Sequence, residues 1–270
     1  MSTACVYPEP MSSAFSAAAE LGYDGVEVMV WNELASQQLR SVAREAARTG
    51  IPVLAVHAPC LAITQRVWGA DPAERLRRSV VLAAGLGAST VVLHPPFRWQ
   101  RGYAAGLHRQ IAELERAHGV MVAMENMFPV RRGRVRVSSY TPGHDPTDPG
   151  AQHYTLDLSH TAIAGDDALA MLDRMGDRLS HLHLTDGTGS EHDEHLVPGR
   201  GTQPCAEVLG RLRDRGFGGT VVVEISTRRS RSRHERLDAL AESLLFARLH
   251  LDSSLPAPRT DRSVHQDGRP

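Results

Sequence analysis

Two patterns of hydrophobic and polar residues alternate along the chain. Short runs rich in Val, Leu, Ile and Thr are typical of buried parallel strands, and longer segments with apolar residues every three to four positions are typical of amphipathic helices. The predicted strands are Thr3–Tyr7, Gly25–Val30, Pro52–Ala58, Thr90–His94, Val120–Glu125, His153–Asp157, Ser180–Thr185 and Thr220–Ile225. The predicted helices are Met11–Leu21, Leu34–Thr49, Pro72–Leu86, Tyr103–His118, Ala168–Met175, Cys205–Arg215 and Arg233–His250.

This alternation predicts an α/β fold with a parallel sheet, because each crossover between parallel strands needs room for a helix. Eight strands favour a closed (β/α)8 barrel, the TIM-barrel fold, and such a barrel commonly uses about 250 residues as a single domain. We therefore expect one metal-dependent catalytic domain over residues 1–252. Residues 253–270 are polar and contain several prolines without periodicity, which predicts a disordered tail.

The segment between the fifth and sixth predicted strands breaks the alternation. Residues 127–152 carry Pro, Gly and Arg where the fifth helix should lie. We predict a long loop in which the fifth helix is reduced or missing. The loop contains Arg131, Arg132, Arg134 and Arg136. Arginine forks bind phosphate with paired hydrogen bonds, but a solvated basic loop is the alternative.

The composition excludes several function classes. Hydrophobic residues make up 41% and charged residues 23%, as in soluble globular proteins, and a net charge of −1 gives no general attraction to nucleic acid. All 30 basic residues are arginine, which excludes a lysine Schiff base and a Walker-type phosphate loop. Three cysteines without a CxxC pair, no signal peptide and no long apolar run predict a cytoplasmic protein outside the membrane.

Acidic residues and histidines stand where six predicted strands end. They are His57, His94, Glu125, Asp157, His183 and Glu224. The carboxyl ends of the strands and the loops that follow them build the active site of a TIM barrel, so these side chains should converge. Imidazole and carboxylate ligands suit Zn²⁺, Mn²⁺ or Fe²⁺. His160, Asp193 and His195 in the following loops extend the set beyond what one ion needs, and carboxylates such as Glu125 and Glu224 can bridge ions about 3.5–4 Å apart.

Six further residues near the same face are candidates for substrate binding. They are Glu27, Trp31, Arg98, Trp99, Asn126 and Arg200. The arginines suit an anion, the tryptophans can stack on a sugar or base, and the carboxylate and amide could equally be structural. His181 shares the inward face of His183 one layer deeper, where a hydrogen-bonded core histidine is expected. The arginines at 228, 229, 231 and 233 are interpreted as a solvated face.

Several segments, in order and spacing, resemble the xylose-isomerase-like TIM-barrel superfamily, which holds sugar-phosphate isomerases and epimerases together with endonuclease IV. They are LGYDGVEVMVW, VHAP, LGASTVVLHPP, MEN, LDLSH, HLHLTDG, DEHLVPGRG and VVVEIS, within about residues 3–250. In the resemblance, the Glu, Asp, His, Glu set of single-metal epimerases falls on Glu125, Asp157, His183 and Glu224. The five further zinc ligands of endonuclease IV fall on His57, His94, His160, Asp193 and His195.

Two stretches depart from the endonuclease IV pattern. Cys60 stands where that family has the Tyr of a Tyr-Leu pair that enters DNA. The run from Met29 to Glu33 lacks the Arg of a second DNA-handling loop. The resemblance therefore implies a nuclease-like metal set combined with a different substrate surface.

The sequence thus predicts a divalent-metal enzyme of isomerase or epimerase type that acts on a small sugar or sugar phosphate, with Glu125 and Glu224 as catalytic candidates. Zn or Mn is expected, with two or three ions per chain. The expected partner is a small molecule, and nucleic acid stays open as a less favoured alternative. A multi-zinc phosphodiesterase is the first alternative. A non-catalytic sugar-phosphate-binding barrel is the second, which the ligand set disfavours because buried carboxylates are costly without a metal.

Overall fold

A sheet of seven parallel strands forms the centre of the computed structural model, which describes residues 1–132, 135–147 and 151–252 and omits the side chains of residues 131–136. In chain order the strands are β1 (Val26–Met29), β2 (Val53–His57), β3 (Thr90–Leu93), β4 (Met121–Glu125), β5 (Val130–Arg132), β6 (Val135–Val137), β7 (His153–Asp157), β8 (Leu179–Leu184) and β9 (Thr220–Val223). The sheet runs in the order β1-β2-β3-β4-β7-β8-β9, and β5 and β6 form a separate hairpin. The arrangement is a nearly closed TIM barrel in a single domain, as predicted.

The predicted first strand, Thr3–Tyr7, is wrong. Thr3–Val6 is a turn of 3-10 helix, and the hydroxyl of Ser2 accepts a hydrogen bond from the backbone of Ala4 at its start. Such a capping contact competes with strand pairing. The two residues before it take the strand's place in the barrel, since Ser2 N donates to Val223 O at 2.9 Å and Glu27 N donates to Met1 O at 2.9 Å.

The main helices follow the strands and cover the outside of the barrel. They are α1 (Met11–Leu21), α2 (Leu39–Thr49), α3 (Pro72–Leu86), α4 (Arg101–His118), α5 (Leu158–Ala164), α6 (Ala168–Met175), α7 (Cys205–Asp214) and α8 (Arg233–Leu251). Helix α3 shows how the sequence sets their bounds: the Asp71 side chain caps Ala73 N at 3.0 Å, Pro72 fills the first position, and Gly87 ends the helix at a φ of 71°. In the described residues no helix is long and apolar enough to cross a membrane.

The segment between β4 and β7 contains an antiparallel hairpin rather than only a loop. Strand β5 pairs with β6, with Val130 opposite Val137. Residues 126–132, 135–147 and 151–152, which are the described part of this segment, contain no helix. The side chains of the four loop arginines lie outside the described set, and so does the predicted tail at 253–270.

The strands turn alternate residues towards the helices and into the barrel. On β8, Leu182 and Leu184 belong to the large apolar core, whereas His181 and His183 face the other way and are completely buried. On β1, Val26 and Val28 join the same core while Glu27 between them is completely buried. The apolar residues hold the helices on the barrel, and the residues between them place polar groups inside it.

Candidate metal centre and substrate cavity

Three carboxylates and one imidazole meet at the carboxyl end of the barrel. We call them the central cluster: Glu125, Asp157, His183 and Glu224. One ligand atom from each lies within 4.8 Å of the others, and all four side chains are buried. His183 Nδ1 lies 3.1 Å from Glu125 Oε1, 3.4 Å from Asp157 Oδ2 and 2.9 Å from Glu224 Oε2. The strand ends β4, β7, β8 and β9 therefore aim their side chains at one point.

The chemistry of the central cluster fits a divalent metal ion. Asp157 Oδ2 is buried and has no hydrogen-bond partner among the described residues. Three buried carboxylates around a single imidazole repel one another unless positive charge compensates them. Carboxylate oxygens and an imidazole nitrogen are the ligands that Zn²⁺ and Mn²⁺ accept.

Two histidines approach the other oxygen of Glu125, and we call these three residues the second ligand group. His57 Nε2 lies 3.2 Å and His94 Nε2 lies 3.0 Å from Glu125 Oε2. His57 Nδ1 lies 3.0 Å from the carbonyl oxygen of Ala58, which can only accept, so Nδ1 donates there. In the neutral ring, Nε2 then carries a lone pair that faces the carboxylate. Because these two groups repel each other, the contact requires a proton on Nε2 or a cation between them.

A third ligand group repeats this arrangement around Asp193. His160 Nε2 lies 3.3 Å and His195 Nε2 lies 2.9 Å from Asp193 Oδ2. The Nδ1 atoms of both rings lie 2.8 Å from backbone carbonyls, those of Asn126 and Glu224. Hydrogen bonds of this kind fix the tautomer that presents Nε2 to a metal.

The nine predicted ligand residues thus form one contiguous network. His160 Nδ1 also lies 3.3 Å from Glu125 Oε1, which joins the third ligand group to the central cluster, and Glu125 itself joins the second. The residues of the network come from strands β2, β4, β7 and β8, from the positions directly after β3 and β9, from helix α5 and from the loop after β8, so the barrel brings them together.

The pKa shifts in the network show which charge it favours. Burial works against ionisation of Glu125, but His183 and His94 outweigh it and hold the pKa of this carboxyl well below its ordinary value. Burial also opposes protonation of His183, but Glu224 and Glu27 raise its pKa well above the ordinary value. Each buried carboxylate therefore stabilises positive charge beside it.

Two of the residues that were predicted to bind substrate are fully buried and contact residues of the network. Glu27 is fully buried behind His183, with its Oε1 3.2 Å from Nε2 of that ring and its Oε2 2.9 Å from His181 Nε2. It therefore orients His183 so that Nδ1 points into the central cluster. Asn126 is also fully buried, and its amide accepts from Asp157 N at 2.7 Å and donates to Asp157 O at 3.0 Å.

A cavity of about 690 Å³ borders the central cluster at Glu224. His195 and Glu224 lie at its inner end, and Trp31, Tyr7 and Arg228 line it further out. The cavity gives a substrate access to Glu224. Of the predicted substrate-binding residues, the structure places Trp31 in it.

The other predicted substrate residues lie elsewhere. Arg200 Nε donates to Glu242 Oε1 at 3.0 Å, so this arginine is paired with a carboxylate on α8. Trp99 is 67% exposed and stacks on Phe97 with ring centroids 4.4 Å apart. Neither Trp99 nor Arg98 lines the cavity that reaches Glu224.

Sequence reasoning missed several residues of the site. Ser2 Oγ donates to Glu224 Oε1 at 3.2 Å, and Ser159 Oγ donates to Asp193 Oδ1 at 2.6 Å. Tyr7 stands at the end of a predicted strand. The rule that residues at strand ends build the active site of a TIM barrel could therefore have found it. Arg228 carried no such signal, because it lies among other arginines.

Carboxylate and histidine groups converge at the carboxyl ends of the strands of this parallel α/β barrel. The protein is therefore a TIM barrel with a candidate metal centre. The chain belongs to the xylose isomerase-like TIM-barrel family, whose model matches residues 15–250. This confirms the resemblance found in the sequence.

Individual relatives agree with this assignment. An uncharacterized protein of Mycobacterium tuberculosis is 56% identical over 93% of this chain and 96% of its own length. Fructoselysine 3-epimerase of Shigella flexneri is 22% identical over 81% of this chain and 86% of its own. The crystal structure of a D-psicose 3-epimerase in the presence of D-fructose covers 93% of this chain and 98% of that one, with a TM-score of 0.67 and 18% identity. At that identity the structural likeness establishes the fold.

Proposed function

We propose that this protein is a divalent-metal-dependent isomerase or epimerase of a small sugar or sugar phosphate. The observation that carries the proposal is the central cluster, four buried ligand residues within reach of one ion, with Glu224 facing an open cavity. The similarity to fructoselysine 3-epimerase and to the fold of D-psicose 3-epimerase supports this reaction class.

The residues of the site can divide the reaction between them. When bound, the ion supplies polarisation of a substrate carbonyl and its neighbouring hydroxyl, which acidifies the adjoining C–H bond. Glu224 lines the cavity and can take a proton from that carbon. Ser2 holds the Oε1 of this carboxylate and so fixes its orientation. Glu125, which contacts the same His183 nitrogen as Glu224, is the candidate to return a proton.

We also propose that Zn²⁺ or Mn²⁺ is the ion and that each chain holds two or three. The second and third ligand groups each present two imidazole Nε2 atoms to one carboxylate oxygen. In the third group, and for His57 in the second, the Nδ1 atoms face backbone carbonyls. Rings fixed in this way are suited to ligating a metal.

Proton exchange between substrate and solvent tests the function directly. We expect metal-loaded protein to incorporate deuterium from D2O at the carbon next to the carbonyl of a ketose or its phosphate, as monitored by NMR. Protein stripped with a chelator should lose this exchange and regain it when Zn²⁺ or Mn²⁺ is restored. Exchange that persists at full rate without metal, or no exchange in a panel of hexuloses, pentuloses and their phosphates, would contradict the proposal.

The same network favours a second candidate, a multi-zinc phosphodiesterase. Neighbouring ions can clamp the attacking and leaving oxygens of a phosphoryl group, and the contiguous nine-residue network offers the ligands for such a centre.

Duplex DNA with an abasic site separates the two candidates. We expect no efficient cleavage by zinc-loaded protein at catalytic concentration. Cys60 accepts from His94 N at 3.4 Å and donates to Ala58 O at 3.0 Å, so it is held against the barrel and carries no ring that could enter DNA. Gel analysis beside a known abasic-site endonuclease measures this. Cleavage comparable with that of the control enzyme would favour the phosphodiesterase.

A further inference from the structure

The outer part of the cavity differs in character from its inner end. The inner end presents the carboxylate of Glu224 and the imidazole of His195, whereas the rim carries apolar side chains. Among them Tyr7 is 44% and Ile63 is 71% exposed. A cavity of about 690 Å³ lies within the range that holds ligands of drug size, about 300–1,000 Å³. A substrate whose reacting end lies at the central cluster therefore has room to extend outwards to the rim.

One arginine is held at this rim by an aromatic pair. The guanidinium carbon of Arg228 lies 5.5 Å from the centroid of the Tyr7 ring, within the range of a cation–π contact. Tyr7 in turn packs against Trp31 with centroids 5.3 Å apart and ring planes inclined by 57°. Of the described residues that line the cavity, Arg228 is the one arginine.

Among the described residues, no charged side chain pairs with Arg228. In the described part of the chain it has no carboxylate partner and no side-chain hydrogen bond; its recorded contact is with the Tyr7 ring. Two arginines further along the chain are paired, since Arg233 contacts Glu20 and Arg236 contacts Glu9.

The acidic groups at the rim have partners of their own. Both oxygens of Glu33 accept from Met11 N, at 3.2 and 3.0 Å, where they cap the start of α1. Glu9 is paired with Arg236. Among the described charged groups at the rim, the guanidinium of Arg228 is therefore the one left to meet a ligand.

We propose that Arg228 binds an anionic group at the outer end of the substrate, a phosphate monoester or a carboxylate, while Tyr7 and Trp31 form the wall beside the sugar. This inference rests on the proposed function and narrows its substrate to a charged sugar derivative. A guanidinium can bind either oxyanion with paired hydrogen bonds. Because Arg228 is exposed, the interaction should weaken with ionic strength.

Three matched sugars test this inference by calorimetric titration of the metal-loaded protein at low salt: D-fructose, D-fructose 6-phosphate and D-fructuronate. They share a ketose end and differ at the outer carbon. We expect the phosphate or the carboxylate sugar to bind at least about tenfold more tightly than D-fructose, and the better of the two identifies the anion. Arg228→Gln should bring that sugar close to D-fructose. Arg229→Gln is the matched control, because Arg229 is the next residue in the chain, is exposed and does not line the cavity.

The outcomes separate this inference from the function on which it rests. Equal binding of all three sugars by the unmodified protein overturns the role of Arg228 and leaves the isomerase proposal intact. A preference that survives in Arg228→Gln also overturns it, since another cation, such as a metal ion in the central cluster, would then hold the anion. An equal loss in Arg229→Gln assigns the effect to general charge and overturns it too. Binding of none of the three, together with no deuterium exchange in the wider panel, overturns both proposals.

Discussion

Glu125→Gln should lower the rate of deuterium exchange into the sugar by at least about 10³-fold and reduce the metal content of the purified protein. General acid–base groups alone contribute about 10²–10⁴-fold to rates, and Glu125 is also a proposed metal ligand. Its Oε1 lies in the central cluster, and its Oε2 lies within 3.2 Å of the Nε2 atoms of both imidazoles of the second ligand group. The amide keeps the shape of the side chain but removes the charge. Metal analysis by mass spectrometry and NMR exchange measure the two effects.

The fold should survive this substitution, because it removes one of three like charges from a buried cluster. Circular dichroism and thermal unfolding verify that. His183→Ala should have the same two effects by removing the nitrogen at the centre of the cluster. Glu113→Gln, on an exposed position of α4, is the control and should match the unmodified protein. Full metal occupancy in both site variants would contradict the central cluster as a metal site.

The barrel could be predicted from the sequence because strand and helix periods differ. Apolar runs such as Thr90–Leu93 are buried along their whole length, as strands covered by helices must be. The hairpin of β5 and β6 was missed because its strands are three residues each, which is too short to establish a strand period. Helix α5 was missed for a related reason: it has only seven residues, all of them buried, so no polar face reveals a helical period.

The convergence of the candidate ligand residues was predictable because a TIM barrel places strand ends at one face whatever the loops do. The roles of the substrate candidates were not, since they depend on the partner of each side chain. Arg200 follows a strand that carries a candidate ligand, yet it forms an ion pair with Glu242, which lies 42 positions further along the chain. Glu27 lies two residues before the end of β1, where it is level with Ala55 rather than with His57, and it meets His181 and His183. Contacts between residues so far apart in the chain follow from the closed sheet, not from local sequence.

The number of metal ions per chain can be tested by measuring the metal content of the protein. The unmodified protein, purified without chelator, should hold at least two metal ions per chain, and His57→Ala should lose one and keep the other. This substitution leaves the second ligand group with His94 and a single carboxylate oxygen, which is too few for a stable site. The central cluster keeps all four of its ligands, because His57 contacts it through Glu125 Oε2 and not through Oε1. Metal analysis of both proteins after gel filtration gives the stoichiometry.

The control for this measurement is His108→Ala, which removes an exposed imidazole from α4 and should change nothing. A stoichiometry of one in the unmodified protein, unaffected by His57→Ala, would contradict the second ligand group as a metal site and leave a single-metal isomerase. In that case the Nε2 atoms of His57 and His94 must both carry protons. An unprotonated Nε2 would present its lone pair to the carboxylate oxygen of Glu125 at about 3 Å, and the two would repel each other. Retention of deuterium exchange in His57→Ala would show that one ion in the central cluster is sufficient for sugar chemistry. If His57→Ala loses one ion and also loses deuterium exchange, the lost ion takes part in the reaction itself.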